Sequence, residues 1–194
     1  MSTAPMAGAV PASATQSADG ILLGVGGVLV DVYVDFHSVR CKGFEKVVGP
    51  YLDELVREGD IRLAYHPVAM LDALSSTRYS SRAAASSGCA SDGGHFPEYA
   101  QALFAHQPPE YTAGLTADEL IQIGTEVGIA DPAFPECVRA QRYEEWAVWV
   151  TVKASDRGVN WWPAVYVAGQ PIRANLEEIR AALEAAMPAQ RSNS

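Results

Sequence analysis

The chain has 194 residues, 48% of them apolar, and a formal net charge of −9 from 14 Lys and Arg against 23 Asp and Glu. That length fits one domain with room for an inserted subdomain, and the apolar share is enough to bury a substantial core. The acidic balance argues against nucleic acid or an anionic membrane surface as partner, since both need clustered cations and Arg40 with Lys42 is the nearest approach to a cluster.

Residues 1–20 are mostly Ala, Ser, Thr, Pro and Gly. They lack the basic start and apolar middle of a signal peptide and are predicted to form a disordered leader. On that basis the chain as it stands is expected in the cytoplasm; were it the remainder of a longer precursor, export or the cell envelope would be expected. The apolar stretch 21–34 is short and broken by glycines and Asp31, so no membrane insertion is predicted.

Residues 28–36 alternate apolar and polar side chains, as a half-buried strand does. Ser38 is a good helix N-cap, and 39–57 carries apolar residues at helical spacing. Gly59-Asp60 marks a turn, and 61–68 has the character of a second strand ending near Pro67. The three pieces make a β-α-β unit whose crossover is long enough for a parallel pair. Helices are predicted over 79–91, stopped by Asp92-Gly93-Gly94, and over 96–106, ended before Pro108-Pro109. Thr116 and Glu119 form a capping box that opens a helix running to about residue 128. Asp131-Pro132 starts a short helix, and 142–157 is a longer one with Trp146 and Trp149, both expected in the core of the helical block. Strand character returns at 164–167, a Gly169-Gln170 turn follows, and 176–187 is a final amphipathic helix.

Chemistry concentrates at Ser38-Val39-Arg40-Cys41, where strand runs into helix. A strand followed by C-x-x-C at a helix start is the signature of thioredoxin-like redox proteins; here the second cysteine is present and the first is serine. Further blocks follow in order: Tyr33-Val34-Asp35-Phe36, Phe44-Glu45, Arg78-Tyr79-Ser80-Ser81-Arg82-Ala83-Ala84, Leu103-Phe104-Ala105-His106-Gln107-Pro108, Gly158-Val159-Asn160-Trp161-Trp162-Pro163 and Val165-Tyr166-Val167-Ala168-Gly169. Over residues 19–187 the chain resembles the DsbA-like branch of the thioredoxin superfamily. The resemblance implies an α/β thioredoxin fold with an inserted helical subdomain. Residues 21–72 and 158–187 would form the thioredoxin-like domain, 73–157 the insertion and 188–194 a disordered tail. It also implies thiol-disulfide oxidoreductase chemistry on protein or peptide thiols, and a cis proline at Pro163. Two departures stand out: S-x-x-C replaces C-P-x-C, and Trp162 precedes the proline where the family often has Thr or Val.

In a working C-x-x-C site the first thiolate is stabilised at the helix N-terminus and attacks, and the second cysteine resolves the mixed disulfide. A serine hydroxyl is not appreciably ionised near neutral pH and forms no stable mixed disulfide. The expectation is therefore a family member with weak, atypical or absent dithiol oxidase activity, with Ser38 and Cys41 at its catalytic positions. Cys41, one turn deeper, is expected to be the more buried and less acidic thiol, retaining at most single-thiol behaviour.

Two other readings stand beside it. The groove at His37, Trp162 and Pro163 is a candidate peptide-binding or chaperone-like surface, because the family pairs that backbone edge with extended peptides; the two indoles could instead close it. Kappa-class glutathione transferases and chromene-carboxylate isomerases are similar in fold and use serine at this position, which makes a small thiol such as glutathione a candidate ligand of Ser38. Ser38 as a plain N-cap and His37 as a loop histidine are the bland alternatives. The odd cysteine count leaves at least one thiol unpaired within the monomer. By resemblance Cys89 and Cys137 form a structural disulfide; otherwise they are two unrelated buried thiols. His66, His95 and His106 are scattered, with no zinc-like spacing, so no metal is expected.

Overall fold

The computed structural model describes residues 8–187; residues 1–7 of the leader and the 188–194 tail lie outside the described residues. Five strands form one mixed sheet: β1 (Ile21–Leu23), β2 (Val28–Val34), β3 (Ile61–Pro67), β4 (Ala164–Val167) and β5 (Gln170–Ile172). The helices are α1 (Val39–Glu58), α2 (Tyr79–Asp92), α3 (Phe96–Ala105), α4 (Ala117–Glu126), α5 (Ala133–Arg139), α6 (Glu144–Asp156) and α7 (Leu176–Ala186). The sheet order is β1-β3-β2-β4-β5. β2 and β3 run parallel across the α1 crossover, and the other pairs are antiparallel. A thioredoxin-type sheet with α2–α6 inserted between β3 and β4 is the architecture expected.

The central strand explains why the sheet needs cover on both sides. Val30, Val32 and Val34 are buried on one face and Asp31 and Tyr33 on the other. α1 follows Ser38 as its N-cap and ends at Gly59, whose left-handed φ of 78° lets its N–H return to Leu55 and Val56. The capping box on α4 is present, with Thr116 accepting from the Glu119 N–H and Glu119 accepting from the Thr116 N–H. In the inserted block, Trp146 is fully buried, while Trp149 stays partly exposed.

One expectation needs correction: the part of the leader that is described, residues 8–20, is tied to the fold rather than disordered. Trp146 and Trp149 donate their indole N–H groups to the carbonyls of Ala18 and Ser17 at 2.9 and 3.1 Å, Ala14 bridges Ile21, and His66 Nδ1 meets the Asp19 carbonyl at 2.6 Å. His66 also holds Asp31 at 3.1 Å on its other nitrogen and stacks on Tyr33. Arg157 binds Asp31 and the Tyr33 hydroxyl while lying 3.9 Å above the Tyr166 ring. Burial pushes the Asp31 carboxyl up, but the hydrogen bond and charge of His66, with Arg157, outweigh it and hold the group below the usual carboxylate range. Two edge strands have no counterpart among the elements predicted from the sequence: β1 at residues 21–23, and β5, which the Gly169 turn leads into and which carries Pro171.

Candidate active site

The site is built where β2 ends and α1 begins. Ser38 Oγ accepts the Cys41 backbone N–H at 3.3 Å, satisfying one of the free donors of the first turn. Cys41 is fully buried, and its sulfur accepts the Asp35 backbone N–H at 3.4 Å. Ser38 is only 3% exposed, whereas Val39 is 63% exposed. The motif therefore turns its middle residues, Val39 and Arg40, to solvent and its two chemical side chains inward.

A loop after α3 covers the serine. Gln107 Nε2 donates to the carbonyls of both Phe36 and Ser38, at 2.8 and 3.0 Å. His37 is fully buried, with Nε2 3.4 Å from the Pro109 carbonyl, so it is part of this clamp and not an open loop residue. Its Nδ1 and the hydroxyl of Tyr79, on rings 5.2 Å apart, have no partner among the described residues.

Asp35 is the residue that sequence reasoning passed over. It is fully buried, and its carboxyl accepts from the His37 N–H, the Ser80 hydroxyl and the Leu71 N–H at 2.7–2.9 Å. Burial drives it up to about 6 against the pull of those three bonds. The carboxyl joins β2, the segment after β3, and α2 at the base of the site. A polar residue three before Ser38, closing an apolar strand, was the available signal.

Cys41 is electrostatically the opposite of a nucleophile. Burial pushes its thiol up to about 12; the Asp35 N–H and Ser38 hydroxyl oppose this, and the nearby Asp35 and Glu45 carboxyls add to it. In the native protein Cys41 is therefore expected to resist iodoacetamide at mildly alkaline pH over a period that labels it completely in denaturant, as read by intact mass.

Glu45, on the next turn of α1, is also buried and accepts the Tyr65 hydroxyl at 2.9 Å. A Cβ at Gly49 would lie 2.6 Å from Glu45 Oε1, so the glycine makes room for this carboxyl. Burial lifts Glu45 to about 7, above its unfolded value. The folded state thus holds the proton more tightly, and stability falls as pH rises from the unfolded pKa to the folded one. Glu45→Gln keeps the acceptor for Tyr65 and removes the charge. It should be near neutral at about pH 5 and stabilising by about 1–3 kcal/mol at about pH 9, measured by urea unfolding.

On the other side of β2, Tyr33 pairs with Ala164, the residue after Pro163. This register brings Trp161-Trp162-Pro163 to the sheet end from which Ser38 departs. The Trp162-Pro163 bond is cis. Trp162 packs on the core, and Trp161 is half-exposed.

Cys89 on α2 and Cys137 on α5 form the disulfide, with Cα atoms 5.9 Å apart, and Cys41 is free. Among the described residues no group of His, Cys, Asp and Glu is arranged to hold a metal, and no helix is long and apolar enough to cross a membrane.

A parallel β-α-β core, a helical insertion and a buried S-x-x-C at the head of the first long helix define a DsbA-like thioredoxin fold with a degenerate C-x-x-C motif. The thioredoxin family model matches residues 26–185, and the chain belongs to that family. Among solved structures, reduced DsbA from Mycobacterium tuberculosis superposes with a TM-score of 0.77 at 27% identity, over 89% of this chain and 93% of that one. The reduced form of the disulfide bond oxidoreductase DsbG from the same organism gives 0.74 at 27% identity, over 93% and 86%. BdbD from Bacillus subtilis gives 0.77 at 19% identity over 94% and 100%, a likeness of fold alone. A comparison with curated protein sequences finds no match.

Proposed function

We propose that this protein is a DsbA-like polypeptide binder that has lost disulfide exchange: it engages extended segments of other polypeptides beside Trp161, Trp162 and Pro163 and neither oxidises nor isomerises them. The observation that carries this reading is the state of Ser38 and Cys41. Ser38 offers a hydroxyl where a thiolate is needed, and the remaining thiol is fully buried with its pKa pushed up to about 12. The half-exposed Trp161 supports the binding half of the proposal, since an exposed indole anchors partners well. Protein or peptide partners, with or without thiols, fit this surface. A small thiol such as glutathione is the weaker reading, because Ser38 Oγ is engaged as the N-cap of α1, accepting the Cys41 N–H.

The test is calorimetric titration with a carboxamidomethylated, unfolded insulin B chain, which cannot exchange disulfides. Saturable binding, weakened at least about tenfold by Trp161→Ala, is the expected result. Absence of binding, or binding indifferent to Trp161→Ala, would overturn the proposal.

A further inference from the structure

On the α3 side of α1 lies a groove of about 340 Å³, set apart from the Trp161 surface. Its walls are mainly apolar: Phe104 and Ala105 from α3 face Pro50 from α1, with Gln101 beside them. Phe104 also packs on Phe36, two residues before Ser38, with ring centroids 5.0 Å apart, so the groove floor is continuous with the core under the site. Two ammonium groups stand on the α1 side. Lys42 reaches across to the Ala105 carbonyl at 3.4 Å, and Lys46 follows one turn on. In a chain of net charge −9 this is a local reversal of sign.

We propose that this groove is a binding site for an amphiphilic monoanion, an alkyl or aryl carboxylate, whose apolar body lies against Phe104, Pro50 and Ala105 and whose carboxylate is held by Lys42 and Lys46. The volume falls in the range of small-molecule pockets, which pair apolar walls with a few placed polar groups. Charge complementarity selects the anion. Of the carboxyls at the groove, Glu45 accepts the Tyr65 hydroxyl and Asp53 accepts from the Gln101 amide at the far end, about two turns along α1 from Lys46, so the positive end of the groove is the one at Lys42 and Lys46. The lysine stems add apolar cover while their heads remain in water. The inference does not rest on peptide binding at Trp161.

The probe is decanoate, with decanol as its neutral counterpart, titrated calorimetrically into the full chain. Decanoate should bind saturably and at least about tenfold more tightly than decanol, the difference one good charge contact makes. Lys42→Met with Lys46→Met, which keeps apolar stems and removes both charges, should bring decanoate and decanol to equal affinity. Ala105→Trp, which adds bulk to an exposed position on the groove wall, should abolish both. The melting temperature of each variant reports whether it is folded. Equal affinity for decanoate and decanol, no saturable binding, or a folded Ala105→Trp variant that binds as well as the parent would overturn the proposal.

Discussion

Replacing Ser38 with cysteine is expected to produce a working dithiol site in one step. The new thiol would replace the N-cap hydroxyl at the first turn of a 20-residue helix, where free N–H groups and the helix dipole favour an anion. Cys41 already occupies the resolving position, one turn on, and its present inertness is no obstacle, since a resolving thiol needs only to reach the mixed disulfide. In an insulin-reduction assay Ser38→Cys should raise the rate at least about a hundredfold over the parent, and Ser38→Cys with Cys41→Ala should lose turnover while trapping mixed disulfides. A Ser38→Cys variant that is folded, forms the internal bridge between its introduced sulfur and Cys41, and still shows no turnover would mean that the clamp from Gln107 and Pro109, not the missing sulfur, is what silences the site.

The second large effect concerns the disulfide. Cys89 and Cys137 are 48 residues apart, and their bridge spans α2 to α5 across the inserted helices. In the chain-entropy account a loop of that length is worth about 4 kcal/mol. For a chain of this size that corresponds to a fall of about 8–16 °C in melting temperature for Cys89→Ala with Cys137→Ala. Thermal unfolding of parent and double variant, each with and without reductant, measures it. Reductant should destabilise the parent and leave the double variant unmoved. A shift under about 2 °C would show that the helical block holds itself together without the bridge.

The strand-to-helix junction, the Ser38 cap, the helix through to Gly59 and the parallel crossover were all legible in the sequence. They follow from local rules, because propensity, periodicity and capping there agree with the tertiary fold. The capping box at Thr116 and the strand 164–167 were legible for the same reason. The leader was not. Its composition signals disorder, and what orders residues 8–20 is remote: two indoles on α6 and His66 on β3 supply partners for its carbonyls. β1 was hidden by the glycines after it. They mark close approach as well as a break, since a Cβ at Gly26 would lie 2.2 Å from the Ile61 nitrogen.

At the site, the resemblance implied that Ser38 and Cys41 face Trp162 and Pro163, and the β2–β4 register brings the two segments to one end of the sheet. It could not show that Ser38 is roofed by the Gln107 loop, or that Asp35 gathers three donors beneath it. Those facts depend on where the inserted helices dock. His37 is the sharpest case: as a residue it is an ordinary loop histidine, and only the position of Pro109 makes it an internal strut.

Whether the protein as it stands exchanges disulfides is the central question, and the direct measurement is turnover of insulin disulfides by the unmodified chain, with the Cys41→Ala variant alongside. The expected result is a rate indistinguishable from the uncatalysed reaction in both. Catalysis by the unmodified chain that disappears in Cys41→Ala would contradict it, and would make the buried thiol a working nucleophile.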